Sequence, residues 1–298
     1  MPNLRDIQKR IDSVASTRQI TRTMEMVATA KVRRASDRVA AATPYSDSMN
    51  EMLGSVAEHA SGLDHPLLVA RSEMKRVIVI AVVSDRGLAG GFNSNILRKA
   101  ERYIQAKKAE GAQADVIVCG KKGIAYFNYR KIAPVMAFRD LSADPTIDEA
   151  RQIAQYVIDE YAKAAADEVV LMYNHARNVA DQDVMEETVL PIETSAFERD
   201  AEQPAAEDGT IKASYEFEPD ASDVLAKLLP AYVETRIYHA LVDSAAGEQG
   251  ARRKAMKAAT DNATEMVDTL TRTYNRVRQG AITTELNEIV GGAAALED

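Results

Sequence analysis

Residues 4–35 read LRDIQKRIDSVASTRQITRTMEMVATAKVRRA. On a seven-residue repeat carried to residue 57, one column holds Leu4, Ile11, Arg18, Glu25, Val32, Val39, Ser46 and Leu53. The other holds Ile7, Val14, Thr21, Ala28, Ala35, Ala42, Met49 and Val56. Most of these positions are apolar, and the 3-4 alternation is that of a coiled-coil seam. After Arg18 the seam turns polar and a second stripe, Ile20, Met24 and Val27, predicts contact with more than one neighbour. From about residue 221 to 290 the pattern returns through Val224, Leu228, Ala231, Thr235, Tyr238, Val242, Ala245, Gln249, Arg252, Met256, Ala259, Ala263, Met266, Leu270, Thr273 and Val277. At 1.5 Å per residue these helices measure about 85 and about 100 Å, whereas a compact chain of this length is roughly 50 Å across. The expectation is an antiparallel pair in which each helix covers the other's seam and both project from a separate middle domain.

The composition suits that architecture. The 298 residues are 46% hydrophobic and 28% charged, with 5% aromatics and no Trp, a bias that favours long helices. The single cysteine, Cys119, lies in an apolar run and has no partner for a disulfide or a zinc site; a buried, inert thiol is expected. No run of eighteen apolar residues is present to span a bilayer. The Arg-rich N-terminus also carries Asp6, Asp12 and Glu25, which argues against a transit peptide. Residues 1–40 hold nine basic and four acidic side chains and residues 251–278 seven and three, against a net charge of −8 for the whole chain. Two basic helix segments on an acidic body point to an acidic partner around them.

Between the helices, Arg76–Val83 reads as a buried strand, followed by the glycine-rich turn Ser84–Asn95 and a helix to about Ala109. Further strands are expected at Asp115–Cys119, Ile132–Phe138, Glu168–Tyr173 and Thr188–Ile192, with an edge strand at Ile211–Phe217. Helices are expected through Phe127 and from Asp144-Pro145-Thr146 to about Ala165. The alternation predicts a parallel sheet with helices on both faces, a Rossmann-like α/β domain. The division is residues 1–57 as first helix, 58–75 as linker, 76–217 as α/β domain and 218–298 as last helix. Asn3 and Ser222 or Asp223 are candidate caps. Pro44 and Pro230 should kink the long helices, Gly247 and Gly250 should loosen the second, and the helices should fade near Gly54 and Gly291-Gly292.

Little in the chain suggests catalysis. Gly87–Gly91 after a strand resembles a phosphate loop, but it lacks the Lys-Ser/Thr pair of a Walker loop and the glycine spacing of a dinucleotide fingerprint. A tight turn whose backbone donors are tied up by Asp85 and the Asn side chains accounts for it better. His59, His65, His175 and His239 are scattered without metal-ligand spacing, and no acid–base pair or nucleophile elbow stands out. Hence no catalytic residue, cofactor or metal is expected. The acidic balance and few aromatics argue against nucleic acid. Two rival readings are an enzyme on a Rossmann-like core and a generic coiled-coil scaffold.

Three stretches carry a resemblance. They are Ile20–Ala28 (ITRTMEMVA), Ser84–Asn93 (SDRGLAGGFN), and Tyr274–Gln279 with Ile282–Ala293 (YNRVRQ, ITTELNEIVGGA). Over essentially its full length the chain resembles the γ subunit of F-type ATP synthases. It departs in having Ala89 where the family usually has Cys, and in lacking the cysteine-bearing segment of the redox-controlled plant type. The resemblance implies a central rotor shaft threading an α3β3 ring, with the α/β domain on the ε subunit and the membrane c-ring, and with ATP chemistry left to β. It implies β contacts at Met24, Arg252, Arg278, Gln279 and Thr283, and an apolar bearing tip of Leu286, Ile289, Val290 and Leu296. It also implies a peripheral place on the cytoplasmic side of a bacterial cell membrane, coupling to proton flow, and regulation of ATPase activity.

Overall fold

The computed structural model describes residues 3–59, 65–178, 181–192 and 221–297. The expected edge strand at 211–217 lies outside them. In chain order the elements are α1 (Leu4–His59), β1 (Arg76–Val82), α2 (Phe92–Ala109), β2 (Gln113–Cys119), α3 (Lys121–Tyr129), β3 (Met136–Phe138), α4 (Ile147–Ala162), β4 (Glu168–Ala176), β5 (Gln182–Leu190) and α5 (Ala221–Glu297). The chain divides into two compact units, residues 29–252 and residues 1–28 with 253–298.

In the first unit the strands form one sheet in the order β3-β2-β1-β4-β5. The β1, β2, β3 and β4 pairings are parallel. The sheet is not wholly parallel as expected: β5 returns antiparallel beside β4, because only residues 177–181 separate the two strands and a parallel return needs a long crossover. The period-2 alternation is strict. Val77, Val79, Ala81, Val116, Val118, Val170 and Met172 face α2 and α3, through Ile96, Ala100, Ile104 and Phe127. Ile78, Ile80, Val82, Ile117, Cys119, Val169 and Leu171 face the other way. There they meet Ile153, Val157 and Tyr161 of α4, Met49 and Leu53 of α1, and Leu225, Leu229, Val233, Ile237 and Leu241 of α5. Burial pushes the Cys119 thiol up to about 12, with Glu149 and Asp85 adding to the shift, so it stays protonated and unreactive.

The long helices differ from expectation in instructive ways. Every described side chain on the two α1 columns, from Leu4 to Leu53, is buried or half-buried. In α5 the two-column pattern is too narrow. All residues from Ala240 to Arg252 are buried, because this segment is a core helix of the sheet unit rather than half of a free seam. Pro44 and Pro230 lie inside continuous helices. α1 runs past Gly54 to His59 and α5 past Gly291-Gly292 to Glu297. Ser222 and Asp223 fall within the first turn of α5. At the other end of the chain, Asn3 Oδ1 accepts the Arg5 N–H at 3.1 Å, as a cap should. Thr146 and Glu149 form a capping box at the start of α4.

In the second unit α1 and α5 pair. The hydroxyls of Thr21 and Thr260 meet at 2.8 Å, and Met256 and Ala263 are buried beside the buried Ile7, Thr21 and Ala28. The working positions on α5 are Met256, Thr260, Ala263, Val267, Leu270, Tyr274 and Val277. Met266, placed on the seam by the heptad, is instead 53% exposed. Continuing the antiparallel Thr21–Thr260 register residue by residue brings Leu4 opposite Val277, and α1 begins at Leu4. Every residue from Arg278 to Val290 is accordingly exposed.

The turn after β1 is built by side chains, as expected. Asn93 Oδ1 accepts the Ser84 N–H at 2.8 Å, and Asn93 Nδ2 donates to Ser84 Oγ at 2.8 Å. Asp85 Oδ1 accepts the backbone N–H groups of Lys121 (2.9 Å) and Asp140 (3.0 Å), and Oδ2 accepts that of Ser142 (3.0 Å). Burial alone would raise the Asp85 pKa, but these three donors outweigh it and hold the carboxyl below its ordinary value. Gly120, at φ 113°, sits so close that a Cβ there would lie 2.2 Å from the Val83 carbonyl oxygen.

Two stability predictions follow from this turn. Gly120→Ala should cost about 3 kcal/mol or more, read from the denaturation midpoint; an unchanged midpoint would contradict the close approach. Because the folded pKa of Asp85 is depressed, its stabilisation is present above the ordinary carboxylate range and is lost as pH falls through the depressed value. Asp85→Ala should therefore cost about 2–4 kcal/mol near neutrality and flatten the acid limb of the stability–pH curve.

Candidate functional site

In an open α/β sheet the ligand crevice lies beyond the carboxyl ends of the strands where the chain reverses direction across the sheet. Here that point lies between β1 and β4, and α5 of the same chain fills it. Ala89 and Phe92, from the glycine-rich turn, pack against Ala251. Asn174 at the end of β4 donates to the Phe92 carbonyl at 3.2 Å while buried. Gly247 is the closest approach: a Cβ there would meet the Asn174 carbonyl oxygen at 3.3 Å and Phe92 Cε2 at 3.6 Å. The glycine read from sequence as loosening the helix is a packing position, where the absent side chain lets α5 settle against the strand end.

Acidic side chains of α5 fasten it there. Asp243, 2% exposed, accepts the Ala176 N–H at 3.0 Å with one oxygen and meets His175 Nδ1 at 2.7 Å with the other. Burial lowers the pKa of His239, with Asp243 pulling the other way and falling short. One turn on, Glu248 Oε1 pairs with Arg252 Nη1 at 2.6 Å, and Arg252 Nη2 donates to the Gly87 carbonyl at 3.3 Å. Burial raises the Glu248 pKa against the opposing pull of Arg252. A nucleotide entering this crevice would have to displace α5. The enzyme reading thus loses its site, and Ala89, where the resembling family usually has Cys, is a buried packing residue.

The residues read from sequence as partner contacts fall in different places. Arg252 lies in the sheet unit with its side chain 11% exposed. In the helix-pair unit Met24 is half-buried and lines a shallow groove with Ser16, Gln19, Ile20 and Thr23. Arg278, Gln279 and Thr283 are exposed, with Thr283 Oγ1 donating to the Gln279 carbonyl at 3.0 Å. Leu286, Ile289 and Val290 are 56%, 62% and 66% exposed; the side chain of Leu296 lies outside the described residues. Ile282, 49% exposed, completes their stripe at helical spacing and was legible from its i, i+4 relation to Leu286. Sequence reasoning also missed Asp243 and Glu248, although the i, i+4 spacing of Glu248 and Arg252 was a signal. Of the second α1 stripe, Ile20 and Val27 are 59% and 51% exposed. A polar groove of about 850 Å³ between the helices is lined by Arg18, Arg22 and Lys257 with Glu25 and Asp261. Among the described residues no helix is long and apolar enough to cross a membrane.

A family model described as ATP synthase matches residues 3–296. The chain is similar to the ATP synthase gamma chain of Trichlorobacter lovleyi, 43% identical over 297 residues with both chains fully covered. It is also similar to that of Streptomyces coelicolor, 40% identical and covering 99% of this chain and 96% of the relative. Among solved structures it resembles a chain of the Euglena gracilis mitochondrial ATP synthase OSCP/F1/c-ring assembly, with TM-score 0.64 at 20% identity over 98% of this chain and 94% of that one. A chain of the Tetrahymena thermophila mitochondrial ATP synthase central stalk and c-ring gives TM-score 0.58 at 22% identity over 80% and 99%. The structural likenesses carry the fold, two long helices around a central sheet, and the full-length identity to bacterial gamma chains carries the family. On these grounds the chain belongs to the ATP synthase gamma chain family.

Proposed function

We propose that the chain is the central-stalk rotor subunit of an F-type ATP synthase. It takes no part in bond making. Its turning drives the catalytic β subunits through their nucleotide states, and the turning is coupled to proton flow through a membrane c-ring. The observation that carries this reading is the stretch of α5 beyond Val277, a helix with an exposed apolar stripe and no α1 residue left to cover it. Ile282, Leu286, Ile289 and Val290, with Leu296 beyond them, suit an apolar sleeve at the top of an α3β3 ring. Met24, Arg278, Gln279 and Thr283 suit β. The sheet unit suits the ε subunit and the c-ring, which would place the chain peripherally on the cytoplasmic side of a bacterial membrane, where it regulates ATP hydrolysis and proton flow.

The exposure of Arg278 fits a rotor. A solvated ion pair contributes about 0–1 kcal/mol, so a ring of such contacts guides rotation without holding it at one angle. Arg252 differs from the other residues assigned to β. Its guanidinium is engaged by Glu248 and the Gly87 carbonyl, so it reaches β only through the small part of its side chain left exposed.

Arg278→Glu should leave the melting temperature of the chain within a degree or two, since surface substitutions cost about 0.5 kcal/mol or less. ATP synthesis in membrane vesicles should fall by about twofold to tenfold, the rate equivalent of up to about 1.4 kcal/mol. Unchanged synthesis would remove Arg278 from the coupling path. A tagged chain should recover α and β subunits from a detergent extract; tight nucleotide binding by the chain alone, with no ring recovered, would favour an enzyme instead.

A further inference from the structure

Arg252 is the last residue of the sheet unit, and α5 continues through it without a break. Its ion pair with Glu248 is shielded from solvent, the two side chains being 11% and 3% exposed. Glu248 Oε2 is buried with no hydrogen-bond partner, and so is the neighbouring Gln249 Oε1. Glu248 and Ser142 line the same small cavity of about 10 Å³. The Ser142 hydroxyl accepts the Asp85 N–H at 3.0 Å, so Glu248 lies one side chain away from the carboxylate that organises the turn after β1. A buried ion pair with an unpartnered carboxylate oxygen is a poor way to stabilise a fold, because apolar residues of the same volume commonly do better. The raised Glu248 pKa points the same way: the fold would be more stable with this group neutral.

We propose that Glu248 is a positioning residue. It holds the Arg252 guanidinium on the Gly87 carbonyl, and this clamp fastens α5 to the glycine-rich turn so that the helix turns with the sheet unit. The inference rests on the rotor reading and deepens it by naming the joint at which rotation of the body enters α5. Gly247 sets the depth of α5 against Asn174, Asp243 anchors it to the end of β4, and the Glu248–Arg252 pair ties it to the glycine-rich turn. Removing the pair leaves the helix docked by these attachments and by its core residues, and frees the glycine-rich turn from it.

The test uses Glu248→Gln, which keeps the volume and a hydrogen bond but removes the charge, and Glu248→Ala. Amide exchange in the full-length chain should accelerate at Ser84, Asp85 and Phe92, whose N–H groups are hydrogen-bonded in the turn, by about tenfold to a hundredfold, the factor set by losing a hydrogen bond to a charged group. The melting temperature of Glu248→Gln should fall less than that of Glu248→Ala, because the amide keeps a hydrogen-bond acceptor for the Arg252 guanidinium, and its dependence on pH above the ordinary carboxylate range should shrink. In vesicles carrying the assembled synthase, ATP hydrolysis should persist while proton-driven synthesis falls; a merely structural loss would lower both together. Unchanged exchange at Ser84, Asp85 and Phe92 overturns the clamp. Faster exchange with unchanged synthesis, where Arg278→Glu does lower synthesis, overturns the joint but leaves the rotor reading standing. Unchanged synthesis in both Glu248→Gln and Arg278→Glu overturns the joint and removes Arg278 from the coupling path, while the rotor reading itself falls only if a tagged chain recovers no α and β subunits.

Discussion

The burial of one apolar face of a five-stranded sheet by part of a 77-residue helix is the constraint on which the rest depends. Leu225, Leu229, Val233, Ile237 and Leu241 enter the same core as Ile78, Ile80, Ile117 and Leu171. Each such side chain contributes about 1.5–3 kcal/mol when fully buried. A helix so anchored has its axis and rotational setting fixed within the sheet unit. Pro230 is tolerated inside this segment because packing on the sheet supplies more than the roughly 3 kcal/mol that an interior proline costs.

Filling the sheet's crevice is the other side of the same arrangement. A Rossmann-like sheet offers a ligand site at its reversal point at no extra cost, and many proteins use it. In this chain the glycine-rich turn serves α5 instead. Gly120 lets the chain after β2 pass the Val83 carbonyl, Asp85 gathers three backbone donors from the neighbouring segments, and Gly87 presents a carbonyl to Arg252. The motif that looks like a phosphate loop therefore has a mechanical reason for its glycines.

How much of this the sequence disclosed depends on how many neighbours each element has. α1 was legible column by column, because an amphipathic helix covered on one side shows one stripe, and the polar members Thr21 and Ser46 sit as deep as their apolar neighbours. The strands β1 and β2 were legible because unbroken β-branched runs mean cover on both faces. α5 was legible as a helix but not in its register. Where sheet and helices surround it, burial spreads around the whole circumference, and a two-column reading selects residues such as Val224 and Leu228, which are only half-buried, over Leu225 and Leu229. Strand β5 was misjudged because pairing direction depends on the connection, not on the strand's own residues. The assigned contacts Arg278, Gln279 and Thr283 came from resemblance; periodicity alone identifies no partner. Gly247 reads from sequence as loosening the helix, and Glu248 escapes notice, because their meaning lies in atoms far along the chain.

The end of α5 bears on how such a chain is made. Every residue from Arg278 to Val290 is exposed among the described residues, and a helix of about 12–15 residues is only marginal in water by itself. Its stripe of Ile282, Leu286, Ile289 and Val290 is therefore an adhesive surface on every newly synthesised copy. Copies made in excess of their subunit partners would associate through it or meet the cell's quality-control proteases. Balanced synthesis of rotor and ring would keep that stripe from acting as an adhesive.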